Sequence, residues 1–563
     1  FRQADLIVEN VFRTNPVHHA YLEPHSCVVN TAPDGSAEIW ACSKVPYAIR
    51  EQVANAVRVN PEKLVIHPCY IGGDFGGKGD FMDVGLVYFL SKKAGRPVKM
   101  VMDYDEEFAA GNPRHASIIR VKTGVKKDGT MVAHHMEFIF DSGAYGAFKP
   151  NAFLQGPHGS AGPYKIPHVL IEEHMVYTNK IPCGHMRSPG DPQGFFANES
   201  QLDLVAKKLG MDRIKFRQKN LMHDGDQDPI GDQVHYIKTE ETLQRALKEA
   251  GFYQPKPKNV GRGVALVQWM ANGGSGTVGI KINEQGRATI SSAMLDQGAG
   301  TYTLLCEIVG EELGLPVSDM KIEILDTKTG TQDTGVGASR ATRVYGNAAY
   351  QAAVKAVEEI KKAAAKQLKT TPDQIVIAKG GVTSKRGGKR LSYADLVKAK
   401  GSPITVEASY NNTTKLHEAS MCAQVAEVEV DTETGQVKLR KFTSTHDTGT
   451  VINPLMHQGQ IEGGAMMGIG YALMEHLMIA DGKVTTTHFG DYKIPTIKDV
   501  PQFKTSIVES EKGAGPYHSM PIGETSNIPG AAAIANAVED AVGVRINSLP
   551  ITAEKVLAAL RGA

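Results

Sequence analysis

Glycine clusters restrict this chain more than any other feature. Of 563 residues 58 are glycine, and many fall in short runs that suit neither a long helix nor a strand interior. The densest is Gly72-Gly73-Asp74-Phe75-Gly76-Gly77-Lys78; others are Gln297-Gly298-Ala299-Gly300-Thr301, Gly335-Val336-Gly337-Ala338-Ser339-Arg340, Glu462-Gly463-Gly464-Ala465 and Ile522-Gly523-Glu524. Any one of them could be a structural turn. Several spread along one chain suit a large polar or polyanionic cofactor gripped by backbone N–H groups from many segments.

The first cluster imitates a phosphate loop. Gly72, Gly77 and Lys78 have the right spacing, but the next position must carry a hydroxyl to hold magnesium, and it is Gly79. A tight turn is the better reading than a nucleotide hydrolase. Lys+Arg (62) and Asp+Glu (61) nearly cancel with no basic stripe, which argues against a nucleic-acid partner. The six cysteines are scattered without a CxxC pair, so neither a zinc ribbon nor an iron–sulfur cluster is expected on this chain. His67, His134, His135 and His185, with Cys69 or Cys183, invite a zinc reading but lack helical ligand spacing; satisfied polar or surface histidines fit better. No apolar run reaches membrane-spanning length, and scattered cysteines fit a reducing compartment, so a cytoplasmic location away from the membrane is expected. The chain opens at Phe1, so a targeting signal upstream would be invisible.

The length exceeds what one core holds, and two or more domains follow. Periodicity predicts strands over 4–12 and 37–43, helices over 45–59 and 84–94, a hairpin pairing 118–125 with 130–140, and amphipathic helices over 199–209 and 240–250. The polar, proline-bearing stretch Gln254-Pro255-Lys256-Pro257-Lys258 divides a unit 1–253 from a unit 259–563. The second unit reads as a hairpin over 264–282, helices near 303–313 and 344–368, a polar loop over 379–390 and a hairpin turning at Glu433-Thr434-Gly435. Two C-terminal helices follow, over 531–541 and 553–560, the latter capped by Thr552. Strands and helices interleave without a repeat, so the fold class is α+β (mixed α/β).

Taken in order, the segments 19–24 (HAYLEP), 72–78 (GGDFGGK), 141–145 (DSGAY), 186–193 (MRSPGDPQ), 297–303, 338–340, Asp447 with Ile452-Asn453-Pro454, 460–464, Gly515-Pro516-Tyr517, Gly523-Glu524 and the tail 531–549 resemble the xanthine dehydrogenase and aldehyde oxidoreductase family, in its molybdenum-cofactor-binding large subunit. The resemblance covers nearly the whole chain and begins where the family's cofactor domains begin, its smaller preceding domain lying outside. It implies two large molybdopterin-binding domains with the cofactor buried between them, and molybdenum held by a pterin dithiolene, in the cytosine dinucleotide form, with no protein ligand to the metal. Iron–sulfur clusters and FAD are expected on partner chains of a hetero-oligomer.

The reaction so implied inserts a water-derived oxygen at an electrophilic C–H carbon of an aldehyde or N-heteroaromatic substrate, and a carboxylate must accept a proton as it does so. Glu524 holds that position. Arg187 matches an arginine that orients a substrate oxygen or stabilises developing charge. Phe75 and Ala338 match positions packed beside the metal. Gly73, Asp74, Gly76, Gly298, Ala299, Gly300, Thr303, Ser339, Arg340, Thr342, Gln460 and Gly523, with Arg187 itself, fall on segments that contact the cofactor.

Three departures stand out. Lys44 occupies the place of a glutamine that meets an apical ligand of the metal; either its ammonium replaces that donor, or the register slips and Lys44 lies at the surface. Gly79 replaces an acid of purine-oxidising members, which disfavours xanthine. His518-Ser519-Met520-Pro521 replaces a small-and-lysine stretch before the base. A non-hydroxylating enzyme of the same fold, and a non-catalytic subunit, are the rival readings.

Overall fold

The computed structural model describes residues 1–145, 154–270, 273–412 and 417–562. Among the described residues the strands form six sheets, of which four frame the fold. In the first half, Leu6–Thr14, Ala116–Val125, Met131–Gly143 and Val169–Tyr177 form a four-stranded sheet in that order, the last pair parallel. A smaller sheet orders Leu64–His67, Ala37–Ala41, Ser26–Thr31 and Val98–Val101, packed by the helices Pro46–Val57 and Val84–Ala94.

In the second half, Val260–Met270, His417–Val430, Val437–Asp447 and Gln502–Val508 lie side by side. A separate sheet of Met320–Ile324, Ala288–Ser292, Ser275–Ile282 and Ile404–Asn411 carries the helices Thr301–Leu313 and Asn347–Leu368. One apolar core joins the halves: Phe12, Phe138 and Phe196 belong to the same cluster as Phe442, Ile469 and Ile534.

Two buried helices make that junction. Gly530–Val542 lies on the strand Val260–Met270, where a Cβ at Gly261 or Gly263 would stand 2.0 or 2.1 Å from a helix carbonyl. Only glycine permits that approach. Asp191–Leu209 packs against Gly530–Val542 and against the first sheet.

Most expected elements form, with Thr552 accepting from the Lys555 amide as the cap of Ala553–Leu560. The differences have physical reasons. The hairpin expected over 264–282 does not form: Val260–Met270 pairs with His417–Val430, while Ser275–Ile282 pairs within the other sheet. Val260–Met270 is buried along almost its whole length, as a central strand must be, and its small residues serve the helix above it. Residues 271–272 of that expected turn lie outside the described residues.

The expected helix 199–209 begins earlier, at Asp191, behind Pro192 at its first turn, and is buried on nearly every face. The loop 379–390 contains a strand, Gly381–Ser384, paired with Ile375–Ala378. Glu462-Gly463-Gly464-Ala465 is no turn but lies inside the helix Pro454–Leu473, capped by the Asn453 side chain.

Candidate active site

A cavity of about 1350 Å³ opens where the loops of both halves converge. Drug-sized pockets hold roughly 300–1,000 Å³, so this one accommodates a large cofactor together with a substrate. Its wall includes Lys44, Gly73, Asp74, Phe75, Gly76, Arg187, Gly298, Ala299, Gly300, Ala338, Ser339, Arg340, Thr342, Gln460, Gly523 and Glu524. Of the residues expected to meet the cofactor, Thr303 alone is not in the wall; it sits within the helix Thr301–Leu313, whose first residue and Leu304 face inward instead.

Arg187 and Glu524 are brought together from opposite halves by a dense set of hydrogen bonds. The Glu524 carboxylate accepts from the Ser188 amide on Oε1 and from the Ser339 hydroxyl on Oε2, both at 2.9 Å. The Ser188 hydroxyl donates to the Glu524 carbonyl at 2.9 Å. Arg187 Nε donates to the Gly523 carbonyl at 2.6 Å, and Nη2 donates to the Gln460 carbonyl at 3.0 Å. Burial pulls the Arg187 guanidinium down to about 10, opposed by the Glu524 charge, which leaves it cationic at neutral pH.

The local backbone explains this convergence. Phe75, Ser188, Ala338 and Ser339 all take left-handed conformations, with φ of 47°, 60°, 46° and 57°. Such residues store strain that surrounding contacts must hold, and three of them in the cavity wall, with Ser188 buried behind it, mark a constrained site. Gly464 explains a glycine inside a helix: a Cβ there would stand 2.0 Å from Ser526 Oγ and 2.9 Å from Arg187 Nη2. Arg114, which no sequence motif singles out, donates to the carbonyls of Arg187 at 2.6 Å and Ser188 at 3.1 Å. The Asn527 amide group adds a bond to the Arg187 carbonyl at 2.9 Å.

Lys44 is buried, not at the surface. Its ammonium lies 2.7 Å from Asp74 Oδ2. Asp74 also accepts from the amides of Gly76 at 2.8 Å and Lys78 at 2.9 Å, so it organises the glycine loop around its own carboxylate. Burial pushes the Asp74 carboxyl up, but the Lys44 charge and these hydrogen bonds outweigh it and hold it below the usual range.

Asp191, at the start of the helix Asp191–Leu209, meets the opposite environment. It lines the cavity at 4% exposure, and its Oδ2 has no hydrogen-bond partner. Burial drives its pKa well up, the Glu524 charge adds to the rise, and Arg114 only partly offsets both. The helix dipole favours an anion here by about 0.3–1 kcal/mol, up to ~2 kcal/mol in buried geometries. An unpaired buried carboxylate costs several kcal/mol, so burial outweighs the dipole and favours the protonated form.

Other wall groups await a polar occupant. Gln268 has both amide atoms unpartnered, as are Trp269 Nε1, Gln297 Oε1, Arg340 Nε, Arg343 Nε and His457 Nε2. Orphaned donors and acceptors in number, two of them on guanidinium groups, fit an anionic, hydrogen-bonding cofactor of pterin type. The amides of Gly298, Ala299 and Gly300 point at the Asp296 carboxylate at 2.8, 3.0 and 3.2 Å, so Asp296 caps this loop from within. The histidines of the zinc reading lie apart: His67 pairs with Glu38, His135 with Glu172 at 2.7 Å, and His134 is buried beside Thr123 at 3.0 Å. Among the described residues no group of three His, Cys, Asp or Glu side chains is arranged to hold a metal ion. No described helix is long and apolar enough to cross a membrane.

Comparison with known proteins agrees with this architecture. Two domain families, each described as "Molybdopterin cofactor-binding domain", match residues 1–221 and 236–501. The chain is 30% identical over 579 residues to a xanthine dehydrogenase molybdenum-binding subunit of Escherichia coli, covering 98% of this chain and 77% of that protein. It is 27% identical to the 6-hydroxypseudooxynicotine dehydrogenase complex subunit gamma of Paenarthrobacter nicotinovorans, covering 100% and 75% of the two chains. Quinoline 2-oxidoreductase from Pseudomonas putida 86 superposes with a TM-score of 0.92 at 26% identity, over 100% of this chain and 77% of that one. A chain with two molybdopterin-binding domains, a cavity between them and these relatives belongs to the xanthine dehydrogenase and aldehyde oxidoreductase family, as the molybdenum-binding catalytic subunit of a molybdenum hydroxylase.

Proposed function

We propose that this subunit hydroxylates an aldehyde or N-heteroaromatic compound, taking oxygen from water and passing electrons to iron–sulfur and flavin subunits of a cytoplasmic hetero-oligomer. The observation that carries the reading is the fixed Glu524 carboxylate, held by Ser188 and Ser339 at 2.9 Å each beside Arg187 in a large polar-walled cavity. When bound, the molybdenum cofactor, here in its cytosine dinucleotide form, supplies the oxygen-transfer centre and accepts two electrons.

The remaining work falls to the chain. Glu524 accepts the proton released as oxygen is delivered to the substrate carbon. Arg187, already spending Nε and Nη2 on backbone carbonyls, is a rigid cation beside that carboxylate and stabilises oxyanion charge developing on the substrate. Lys44 acts through Asp74, fixing the loop of Gly73, Phe75 and Gly76 against the cofactor. Gly298–Gly300, Ala338, Arg340, Thr342, Gln460 and Gly523 contribute the rest of the cofactor's contacts. We take the boundary between the two cofactor-binding units to be 254–258; the helix Thr239–Ala250 just before it packs on the sheet of the second, and the second family match begins already at 236.

A quinoline oxidoreductase and a 6-hydroxypseudooxynicotine dehydrogenase among the relatives support the heteroaromatic branch of this reading. The decisive measurement uses the purified multisubunit complex with quinoline and benzaldehyde in water enriched in heavy oxygen. Label appearing in the product supports hydroxylation; oxidised product without label overturns it.

A further inference from the structure

We propose that Asp191 is a substrate-specificity residue, presenting a paired hydrogen-bond donor and acceptor to the lactam or aza edge of a neutral N-heteroaromatic ring. This rests on the hydroxylase reading above and narrows its substrate class.

The geometry singles out this carboxyl. It lines the cavity, is almost fully buried, and keeps an oxygen without a partner. Among the described residues no lysine, arginine or histidine forms an ion pair with it, whereas Asp74 in the same wall has Lys44 at 2.7 Å. Arg114, the buried cation whose charge acts on it, directs Nη1 and Nη2 elsewhere, to the Ser188 and Arg187 carbonyls and, at 3.4 Å, to Gln193 Oε1, while its Nε has no partner. Asp191 also adjoins the base. Its amide donates to the Ser188 carbonyl at 3.2 Å, and the Ser188 amide donates to Glu524 Oε1 at 2.9 Å.

Burial without an ion-pair partner favours the protonated form of such a carboxyl, which carries one O–H and one C=O on a single planar edge. That edge is complementary to the N–H and C=O of a lactam through two hydrogen bonds, and to a ring nitrogen through one. An anionic substrate would face the Asp191 and Glu524 carboxyl groups together, with Arg187 already committed through Nε and Nη2 to backbone carbonyls, and is disfavoured. A site built to hydrogen-bond a substrate discriminates strongly against analogues that lack the matching group.

The test uses the cofactor-loaded complex and quinolin-2-one as probe, with binding measured at equilibrium. Asp191→Asn keeps a donor and an acceptor on one planar edge, so affinity should stay within about threefold of wild type. Asp191→Leu fills the same space without either and should lose about tenfold or more. N-methylquinolinium, a cation without the matching edge, should respond to neither change. Infrared difference spectra of the wild type should show the carbonyl stretch of a protonated carboxylic acid that disappears in Asp191→Asn.

Equal loss in both variants, together with lost N-methylquinolinium binding, would mean that Asp191 works as an anion and would overturn the proposal. Unchanged quinolin-2-one affinity in Asp191→Leu would overturn it too, as would a wild-type spectrum without the acid band. The hydroxylase reading fails separately: a complex that binds quinolin-2-one through Asp191 yet oxidises neither quinoline nor benzaldehyde would leave the specificity role standing.

Discussion

Two aspartates line the same cavity and meet opposite fates. Asp74 sits in a glycine loop of the first half, 2.7 Å from Lys44 and within reach of two backbone amides. Asp191 opens a buried helix, has no ion-pair partner among the described residues, and lies on the side of the Glu524 charge. Burial is similar for both; partners are not. A buried carboxyl is an anchor when its charge is compensated, and a neutral recognition group when it is not. The Asp74 side is a fixed wall, while the Asp191 side keeps an oxygen without a partner, the one proposed above to meet the substrate.

The strongest challenge to this comparison is the carboxylate between the two sides. Glu524→Gln keeps shape but removes proton acceptance, so turnover should fall by ~10²–10⁴-fold with cofactor content near normal. The same change removes a negative charge that adds to what burial does in raising the Asp191 pKa, so the acid carbonyl band should at most weaken. Full turnover at normal molybdenum content would remove Glu524 from the mechanism.

Next in size is the paired side. Lys44→Leu strands the Asp74 carboxylate in a buried wall, and one-sided deletion of such a pair costs about 3–5 kcal/mol. Because Asp74 titrates below the usual range, its stabilising contribution is present above ~pH 4 and is lost as pH falls through the folded value. The destabilisation by Lys44→Leu should therefore be largest at neutral pH and shrink in acid. In urea unfolding, adding Asp74→Leu to Lys44→Leu should recover most of the loss; a double variant worse than the sum of both would deny the pairing. Lys44→Gln, which keeps a donor, should cost less, about 1–3 kcal/mol by the same assay, and a loss equal to that of leucine would show that only charge matters.

The smallest effect has the opposite sign. A carboxyl whose folded pKa is raised keeps its proton while the unfolded chain releases one, so stability declines as pH rises above about 4. Asp191→Asn removes that penalty. Its melting temperature should match wild type near pH 4 and exceed it by a few degrees at most at pH 7. A lower melting temperature at both pH values would show that Asp191 is ionised and stabilising, and the contrast with Asp74 would collapse.

Much of this site was legible one residue at a time. Residues named from the order and spacing of the glycine loops, among them Gly73, Gly76, Gly298, Gly300, Gly523 and Glu524, line one cavity. Lys44 shows where such reading stops: whether it was buried or exposed depended on Asp74, thirty residues away and across a fold. Glu462-Gly463-Gly464-Ala465 reads as a turn because glycine weakens helices, yet Gly464 is needed in the helix Pro454–Leu473 so that Ser526 and Arg187 can approach it. Asp191 lay inside the segment 186–193 but carried no role of its own there, and Arg114 gave no signal.

What the sequence determined by itself is local or additive: fold class, strand and helix periods, caps such as Thr552, and the set of small-residue loops that permit backbone to approach a cofactor. The tertiary structure decided the charges. Val260–Met270 took its partner, His417–Val430, from far along the chain because a buried strand must satisfy its backbone groups by pairing. Asp74 and Asp191 have the same side chain and the same intrinsic pKa, and only the groups packed around them shift one down and the other up. Desolvation and Coulomb interaction depend on distance in space, and the chain order does not contain that distance.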